Sequence, residues 1–183
     1  MTSQKEQAPT IAVVGATGRQ GGATAQALIE AGAAVRAVVR DTSSPAARQP
    51  GEQGIQLAEA DLNHAETLAK AFQGADAVFA MTMLSGPNGT DGEVEQGKAI
   101  GDAASTVGVN RILYSSVGGA ERHTGIPHFE SKRRVEEYLA GLGLPVTFMH
   151  PVFFMENLNR SRPPPTTGNS CSACRCPPEY RCR

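Results

Sequence analysis

The stretch Ile11–Gly22, IAVVGATGRQGG, decides the fold of this chain. Its first four residues are apolar and mostly suited to a buried strand, and three glycines follow with the spacing GxxGxxG. A helical pattern of alanine, leucine and isoleucine comes directly after them, over residues 23–29. A strand, a tight glycine turn and a helix N-terminus in this order predict a βα unit that binds a nucleotide.

Each glycine of the turn has its own predicted role. Gly15 permits the tight turn, Gly18 lets backbone N–H groups approach a pyrophosphate, and Gly21 lets the helix lie close to its strand. The helix N-terminus adds a partial positive charge and N–H groups without intrahelical acceptors. The alternative is a glycine-rich turn that serves packing alone.

The residue that ends the second predicted strand indicates which dinucleotide is preferred. This strand, Val35–Val39, leads into Arg40, about 20 residues beyond the glycine loop, where NAD sites usually carry an acid for the ribose 2′-hydroxyl. A guanidinium can instead grip a 2′-phosphate with two hydrogen bonds. Asp41 points to the other face of the strand. We therefore expect NADP, with NAD as the second choice; the alternative for Arg40 is a solvated charge at a strand end.

Strands and helices alternate along the rest of the chain. Residues 42–54 read as a polar loop, and the apolar patterns predict strands at 55–58, 75–81, 111–115 and 146–149 and helices at 65–72, 93–107 and 129–142. This alternation predicts an α/β fold, a doubly wound parallel sheet of Rossmann type with helices on both faces. Ligands of such sheets bind at the C-terminal ends of the strands.

Composition and charge exclude several classes of function. The chain has 183 residues, which is enough for one domain. Its formal net charge of −1 provides no electrostatic basis for direct nucleic-acid binding. No apolar run approaches the ~20 residues of a membrane helix. Residues 1–9 read as a polar tail without a secretory signal, and the body of the chain lacks cysteine, so a cytoplasmic location is expected.

The composition changes sharply near Asn159. We expect a dinucleotide-binding domain over residues 10–159 and a disordered tail over 160–183, which is rich in proline, arginine and cysteine. All four cysteines lie in that tail with the spacing C-x2-C-x-C-x5-C. One alternative is a zinc site, although the close cysteines strain a tetrahedral geometry. Another is a chain cut short, whose end is foreign to the fold, as after a frameshift.

Seven segments together resemble a known family. In chain order they are GATGRQGG at 15–22, VRAVVRD at 35–41, ADL at 60–62, EQGKAIGDAA at 95–104, YSSVGGA at 114–120, HFESKRRVEEYL at 128–139 and PVTFMHPVFFMEN at 145–157. As a set they resemble the NmrA-like group of atypical short-chain dehydrogenase/reductases. Members of this group are usually longer, so the chain is similar to their N-terminal part.

The resemblance implies cofactor contacts at several strand ends. These are Gly15, Thr17, Gly18, Gln20 and Gly21 at the pyrophosphate, Arg40 at the 2′-phosphate, Asp61 and Leu62 at the adenine, Met81 and Thr82 along the cofactor, and Lys98 and Lys132 near the cleft. Some of them have a simpler interpretation. Leu62 fits a core position, Met81 a strand residue and Lys98 an exposed helix charge.

The resemblance also implies an altered acid–base site. Reductases of the wider superfamily use a serine and a YxxxK pair, whose lysine also holds the ribose hydroxyls of the cofactor. Here Ser116 and Lys132 match, but His128 replaces the tyrosine on the same helix face. A nearby ammonium makes a tyrosine a better acid at neutral pH, whereas it favours the neutral form of a histidine. Lost or altered chemistry is therefore expected. Otherwise His128 is a polar residue at a helix start, and Ser116 caps the backbone.

These observations favour an NADPH-responsive redox sensor that regulates a protein partner or assembles with its own copies. The first alternative is an NAD(P)H-dependent reductase of quinones or carbonyls, which would use Ser116, His128 and Lys132 as catalytic residues. The second alternative is an incomplete fragment without function.

Overall fold

The computed structural model describes residues 8–52, 54–84, 88–155 and 157 of the chain. The six strands are β1 Thr10–Val14, β2 Ala34–Val39, β3 Gln56–Glu59, β4 Ala77–Met81, β5 Arg111–Ser115 and β6 Val146–Met149. The helices are α1 Arg19–Glu30, α2 Pro45–Glu52, α3 Ala65–Phe72, α4 Gly89–Thr106 and α5 Pro127–Gly141, with a 3-10 turn at Ala120–Arg122.

The strands form one parallel sheet in the order β3-β2-β1-β4-β5-β6. Val13 in the middle of β1 lies opposite Ala37 of β2 and Phe79 of β4. The chain winds outward from β1 in one direction and then from β4 in the other, so the order reverses between these two strands. The predicted doubly wound parallel sheet is confirmed.

Helices cover both faces of the sheet because alternate side chains of each strand point to opposite sides. On one face, Val13 and Phe79 pack with buried residues of α1 and α2. On the other face, Ala12 and Val78 pack with buried residues of α3, α4 and α5, among them Phe72, Ile100 and Leu139. Full burial of each such large side chain stabilises the fold by about 1.5–3 kcal/mol.

The prediction of a polar loop over residues 42–54 was wrong, because the helix α2 occupies Pro45–Glu52. Pro45 suits the first turn, where its missing N–H has no intrahelical role. Ala47 is fully buried against the sheet and anchors the helix. A single small apolar contact within a stretch rich in proline and polar residues gives no helical period, so the sequence pattern did not reveal it.

Two other helices begin earlier than the sequence indicated. Helix α4 starts at Gly89 rather than at Glu93, and α5 starts at Pro127 rather than at Phe129. The difference places Glu93 in the second turn of α4, rather than at its start, and His128 in the first turn of α5. This matters for the site described below.

A stripe of glycines lets α4 lie close to α5. A Cβ atom on Gly97 would stand 2.5 Å from both terminal carbons of Val135, and one on Gly101 would stand 2.7 Å from Leu139. A larger residue at either position would force the facing side chains or a helix to shift. Glu93 lies one turn before Gly97 on the same face, so the close approach brings its carboxylate against the start of α5.

The described residues Phe153, Phe154, Met155 and Asn157 belong to a second unit, separate from residues 8–152. Within it the Asn157 N–H donates to the carbonyl of Phe154 at 2.9 Å. The predicted tail at 160–183, with its cysteines and the zinc alternative, lies outside the described residues, as does most of the tail at 1–9. In the described ranges, no helix combines the length and the apolar character needed to cross a membrane.

Candidate functional site

A cleft of about 300 Å³ opens at the C-terminal ends of β1, β2 and β4, where the strand order reverses. This is the position at which open α/β sheets bind their ligands. Its lining contains seven of the predicted cofactor residues, namely Gly15, Thr17, Gly18, Gln20, Arg40, Leu62 and Met81. Val14, Arg19, Val38, Val39, Ala60 and Met83 complete it.

The glycine loop has the conformation that its spacing predicted. Gly15 has a φ of +70°, in the left-handed region that favours glycine. A Cβ atom on Gly21 would lie 2.2 Å from the carbonyl oxygen of Gly15, so α1 reaches the loop only because that position lacks a side chain. Gly21 is buried and does not line the cleft. Its contribution is therefore the close packing of helix on loop.

The N-terminus of α1 faces the cleft through Gly18, Arg19 and Gln20. The first N–H groups of a helix lack intrahelical acceptors, and its dipole places partial positive charge there. The first turn of α1 carries no acidic residue that would neutralise this charge. The loop and helix together can therefore hold an anion such as a phosphate group.

Gln20 also links the loop to a distant strand. Its Nε2 donates a hydrogen bond of 2.7 Å to the Oγ of Ser115, the last residue of β5. This contact fixes the first turn of α1 relative to β5 and to the neighbouring Ser116. The residue that receives the bond, Ser115, was not singled out from the sequence.

Arg40 and Asp41 lie apart, as strand alternation predicted. Arg40 is exposed and lines the cleft at the end of β2. The Asp41 carboxylate instead accepts hydrogen bonds from the side chain and the backbone N–H of Ser43, at 2.6 Å and 2.8 Å. These bonds hold the pKa of Asp41 below its ordinary value. The Arg40 guanidinium forms no hydrogen bond or ion pair with the other described residues, and its position beside the cleft suits a second phosphate group.

Two other predicted contacts lie outside the cleft. The Asp61 carboxylate accepts hydrogen bonds from the backbone and side chain of Asn63, at 2.9 Å and 2.8 Å, in the turn before α3. Lys98 is exposed on α4, with its Nζ 5.3 Å from the centre of the Tyr138 ring. The structure thus places Leu62, but not Asp61 or Lys98, at the cleft wall.

Thr82 also turns away from the cleft, into a buried polar cluster that we call the Glu93 cluster (Thr82, Glu93, Tyr114, Ser131 and Lys132). The Lys132 Nζ lies 3.0 Å from Oε1 of Glu93 and donates to Thr82 Oγ1 at 2.9 Å and to Tyr114 OH at 3.4 Å. Ser131 Oγ donates to the other Glu93 oxygen, Oε2, at 2.5 Å. Only 1% of Glu93 and 6% of Lys132 are exposed to solvent.

Burial and charge act against each other in the Glu93 cluster. Burial would raise the pKa of Glu93, but the Lys132 ammonium and the hydrogen bonds from Ser131, Lys132 and Thr82 together hold that pKa below its ordinary value. Burial lowers the pKa of Lys132, and the Glu93 carboxylate opposes this shift. Burial also raises the pKa of Tyr114 far above its ordinary range. The phenol is therefore neutral and acts in the cluster as a hydrogen-bonding group.

The three predicted catalytic residues have different positions relative to this cluster. Lys132 is a member of it. His128 stands at its edge, with Nδ1 buried and 3.7 Å from Glu93 Oε2, beyond hydrogen-bond length. Ser116 is buried at the end of β5, its N–H donates to Met149 at 2.8 Å, and its Oγ has no hydrogen-bond partner among the described residues.

The electrostatic reason given from sequence for His128 was incomplete. Spacing alone placed the Lys132 ammonium beside the imidazole. In the structure the Glu93 carboxylate stands between them, with one oxygen toward Lys132 and the other toward His128. The imidazole therefore faces the Glu93 carboxylate, which the sequence pattern did not indicate.

The sequence offered a weak signal for the residues that were missed. Glu93, Gly97 and Gly101 repeat every fourth residue, which marks one face of a helix. That stripe could have indicated a face in close contact with another helix. Met83 had no such signal; the side chain of Gln96 on α4 accepts a 3.1 Å hydrogen bond from its N–H and so holds it at the cleft.

Comparison with known proteins agrees with this geometry. The chain matches the NmrA-like family over residues 7–178. It is 35% identical over 158 residues to the NmrA-like family domain-containing oxidoreductase FrzB of Cladobotryum sp., covering 80% of this chain and 47% of that protein. The chain therefore spans about half the length of the curated relatives it matches.

Two groups of solved structures have the same fold. The Citrobacter sp. triphenylmethane reductase complexed with NADP(H) superimposes with a TM-score of 0.74 at 28% identity, over 81% of this chain and 51% of its own. NmrA, described as a negative transcriptional regulator, superimposes in its complex with NADP with a TM-score of 0.68 at 30% identity, over 79% and 45%. NmrA has also been crystallised with NAD.

Proposed function

This chain belongs to the NmrA-like family, and we propose that its residues 10–159 bind NADP(H) and act as an NADPH-responsive redox regulator of a protein partner. The observation that carries the proposal is the pairing of the α1 N-terminus with Arg40 in one cleft. One can hold a pyrophosphate and the other a 2′-phosphate. A relative known to bind NADP, NmrA, is itself described as a negative transcriptional regulator.

The fit of NADP to the cleft follows from the chemistry of its wall. The N–H groups of Arg19 and Gln20, in the first turn of α1 at the cleft wall, can donate to a pyrophosphate, and the absence of a Cβ on Gly18 leaves room beside them. The Arg40 guanidinium suits the 2′-phosphate because it offers two parallel donors. Apolar residues, among them Leu62 and Met81, provide the rest of the wall. NAD lacks the group that Arg40 would bind, so it is the weaker ligand in this proposal.

A regulatory role is supported by the acid–base site. His128 replaces the tyrosine of the YxxxK pair, and Lys132 is engaged in the Glu93 cluster. Ordinary carbonyl reduction needs a proton donor held in position by hydrogen bonds, and the buried His128 Nδ1 has no hydrogen-bond partner among the described residues. This arrangement favours cofactor binding without rapid turnover. A protein partner, or a second copy of the chain, would then bind differently to the chain with and without NADPH.

One observation favours a second candidate, an NADPH-dependent reductase of quinones or carbonyls. Ser116 Oγ is buried and has no hydrogen-bond partner in the described part of the chain. A buried hydroxyl without a partner is costly, and a substrate oxygen would satisfy it. The Citrobacter sp. triphenylmethane reductase has the same fold. In this candidate, Ser116 orients the substrate and His128 transfers the proton.

The two candidates are separated by binding and turnover measurements on the whole chain. Isothermal titration with NADPH, NADP, NADH and NAD measures affinity, and NADPH oxidation is then followed against a panel of quinones and carbonyls. We expect tight NADP(H) binding and no steady turnover. Steady turnover that is lost in His128→Ala would establish the reductase instead. Failure of the chain to bind any of the four dinucleotides would reject both candidates.

A further inference from the structure

The hydrogen-bonding capacity of Lys132 is fully used inside the Glu93 cluster. An ammonium has three N–H donors and no acceptor. Its Nζ lies 3.0 Å from Glu93 Oε1, 2.9 Å from Thr82 Oγ1 and 3.4 Å from Tyr114 OH, so each donor has an acceptor. The lysine that the YxxxK resemblance assigns to the cofactor ribose therefore already has three protein partners.

The hydroxyl groups of the cluster agree with this assignment. Thr82 Oγ1 donates its one proton to Glu93 Oε1 at 3.1 Å. The Tyr114 OH, 2.8 Å from Thr82 Oγ1, must then donate to it and accept from Lys132. Ser131 satisfies the second carboxylate oxygen of Glu93. Each N–H and O–H group of the cluster therefore has an acceptor, which is the condition under which a buried polar cluster is rigid.

The fold supplies the carboxylate through the close contact of α4 with α5. Glu93 reaches Lys132 because Gly97, one turn later on α4, leaves room for Val135 of α5. For Lys132 to reach a ligand in the cleft, it would have to leave Glu93 as an uncompensated buried charge. Such a loss is strongly unfavourable.

We propose that Glu93 is a positioning residue that holds Lys132 in the interior, so that this lysine does not bind the ribose of the cofactor. The inference rests on the proposed function in one respect, that the cleft takes NADP(H). It deepens that function, because it names the residue that withdraws the YxxxK lysine from acid–base chemistry. The ribose is then held by the cleft wall without Lys132.

The first test measures the chemical accessibility of the Lys132 amine. The folded chain is labelled with trace acetic anhydride, and mass spectrometry gives the rate at each lysine, with the exposed Lys70 of α3 as the reference. We expect Lys132 to be labelled at least tenfold more slowly than Lys70, with or without NADPH. In Glu93→Gln the Lys132 rate should rise at least threefold while the Lys70 rate stays the same. An unchanged Lys132 rate in that variant would overturn the proposal.

The second test measures NADPH affinity in a double variant, so it does not depend on whether either single variant folds. The double variant Glu93→Gln/Lys132→Met removes both charges together and should remain folded by circular dichroism. We expect its affinity for NADPH to stay within threefold of the unmodified chain, because Lys132 contributes no contact to the cofactor. A loss of tenfold or more would show that Lys132 holds the ribose and would overturn the proposal. If the unmodified chain binds no NADPH, the proposed function fails, while the labelling experiment still decides where Lys132 lies.

Discussion

The cleft and the Glu93 cluster lie at the ends of neighbouring strands, and they use their polar groups in opposite ways. The cleft presents backbone N–H groups of α1 and the exposed guanidinium of Arg40, which are available to a ligand. The Glu93 cluster pairs its charges with one another in the interior. Met81 and Thr82 are adjacent in sequence, and Thr82 contacts Lys132. Of these three residues, only Met81 belongs to the cleft wall.

The difference shows how one strand end can serve two purposes. Met81 ends β4 and lines the cleft, while the next residue, Thr82, points into the cluster. Successive side chains of an extended chain alternate in direction, so adjacent residues readily reach different surroundings. A residue's place in a family motif therefore does not decide which of the two surroundings it enters.

The largest expected effect tests whether the cluster is a structural unit. Lys132→Met leaves Glu93 buried without its cation and should lower the free energy of unfolding by about 3–5 kcal/mol. Urea denaturation measures this change. The matched control is Lys70→Met on the exposed face of α3, which should cost less than about 1 kcal/mol.

Comparison with a double variant sharpens that result. Adding Glu93→Gln to Lys132→Met removes the uncompensated charge, so the double variant should be more stable than Lys132→Met alone. If Lys132→Met is no less stable than Lys70→Met, the charge pair described above does not form in solution.

The second prediction concerns the helix contact that delivers Glu93. Gly97→Ala places a methyl group where two carbons of Val135 stand 2.5 Å away, so the Val135 side chain or one of the two helices must shift. Overpacking of this kind costs about 1–3 kcal/mol, measured by thermal or urea unfolding.

Gly141→Ala is the control for that contact, since nothing lies within 4 Å of its added Cβ. It should leave stability unchanged or raise it slightly, because alanine favours a helix. Adding Val135→Ala to Gly97→Ala should restore part of the loss by removing the clashing carbons. Equal effects of Gly97→Ala and Gly141→Ala would contradict the close packing.

The cleft could be predicted from the sequence more fully than the cluster, for a physical reason. The glycine spacing encodes a turn within seven residues, from Gly15 to Gly21, and Arg40 follows from the length of one βα unit. The Glu93 cluster joins β4, α4, β5 and α5, and the Lys132–Thr82 bond spans 50 residues of sequence. Such a contact depends on how closely α4 packs against α5, and no short stretch of sequence predicts that distance.

The same distinction explains the missed helix and the predicted residues that lie outside the cleft. Helix α2 was missed because one buried alanine, Ala47, gives no period, and Lys98 could not be placed because an exposed lysine fits any helix face. Asp61 has the position expected for an adenine contact, but its carboxylate is used by the turn at Asn63. The parallel sheet with helices on both faces was predictable because it follows from the alternation of strands and helices along the chain.

The third prediction tests the cleft. Arg40→Ala should weaken NADP(H) binding by about 1–3 kcal/mol, the range of a charge-assisted hydrogen bond, and leave NAD(H) binding nearly unchanged. Calorimetric titration with both cofactors measures the difference. Arg36→Ala serves as a control, since Arg36 on β2 binds carbonyls at the end of α3 and lies outside the cleft. It should affect stability but not the ratio of the two affinities, and equal losses for both cofactors in Arg40→Ala would reject the 2′-phosphate assignment.

The smallest expected effect is a pH dependence of stability that belongs to the cluster. The folded pKa of Glu93 lies below its ordinary value of 4.5, because the Lys132 ammonium and three hydrogen bonds outweigh the effect of burial. Between the folded and the unfolded pKa, the unfolded chain binds more protons, so stability rises with pH in that window. The contribution of Glu93 is therefore fully present above about pH 4.5 and is lost as the pH falls through the folded pKa.

Other carboxylates with lowered pKa values, such as Asp41 and Asp61, act in the same direction, so the cluster must be isolated by difference. The comparator is Glu93→Gln/Lys132→Met, which keeps those carboxylates and removes the titrating pair. The stability of the unmodified chain relative to this double variant should fall as the pH is lowered below about 4.5, measured by urea unfolding at several pH values. Parallel pH profiles for the two chains would mean that Glu93 has the same pKa folded and unfolded, and that the cluster does not hold its charge as described.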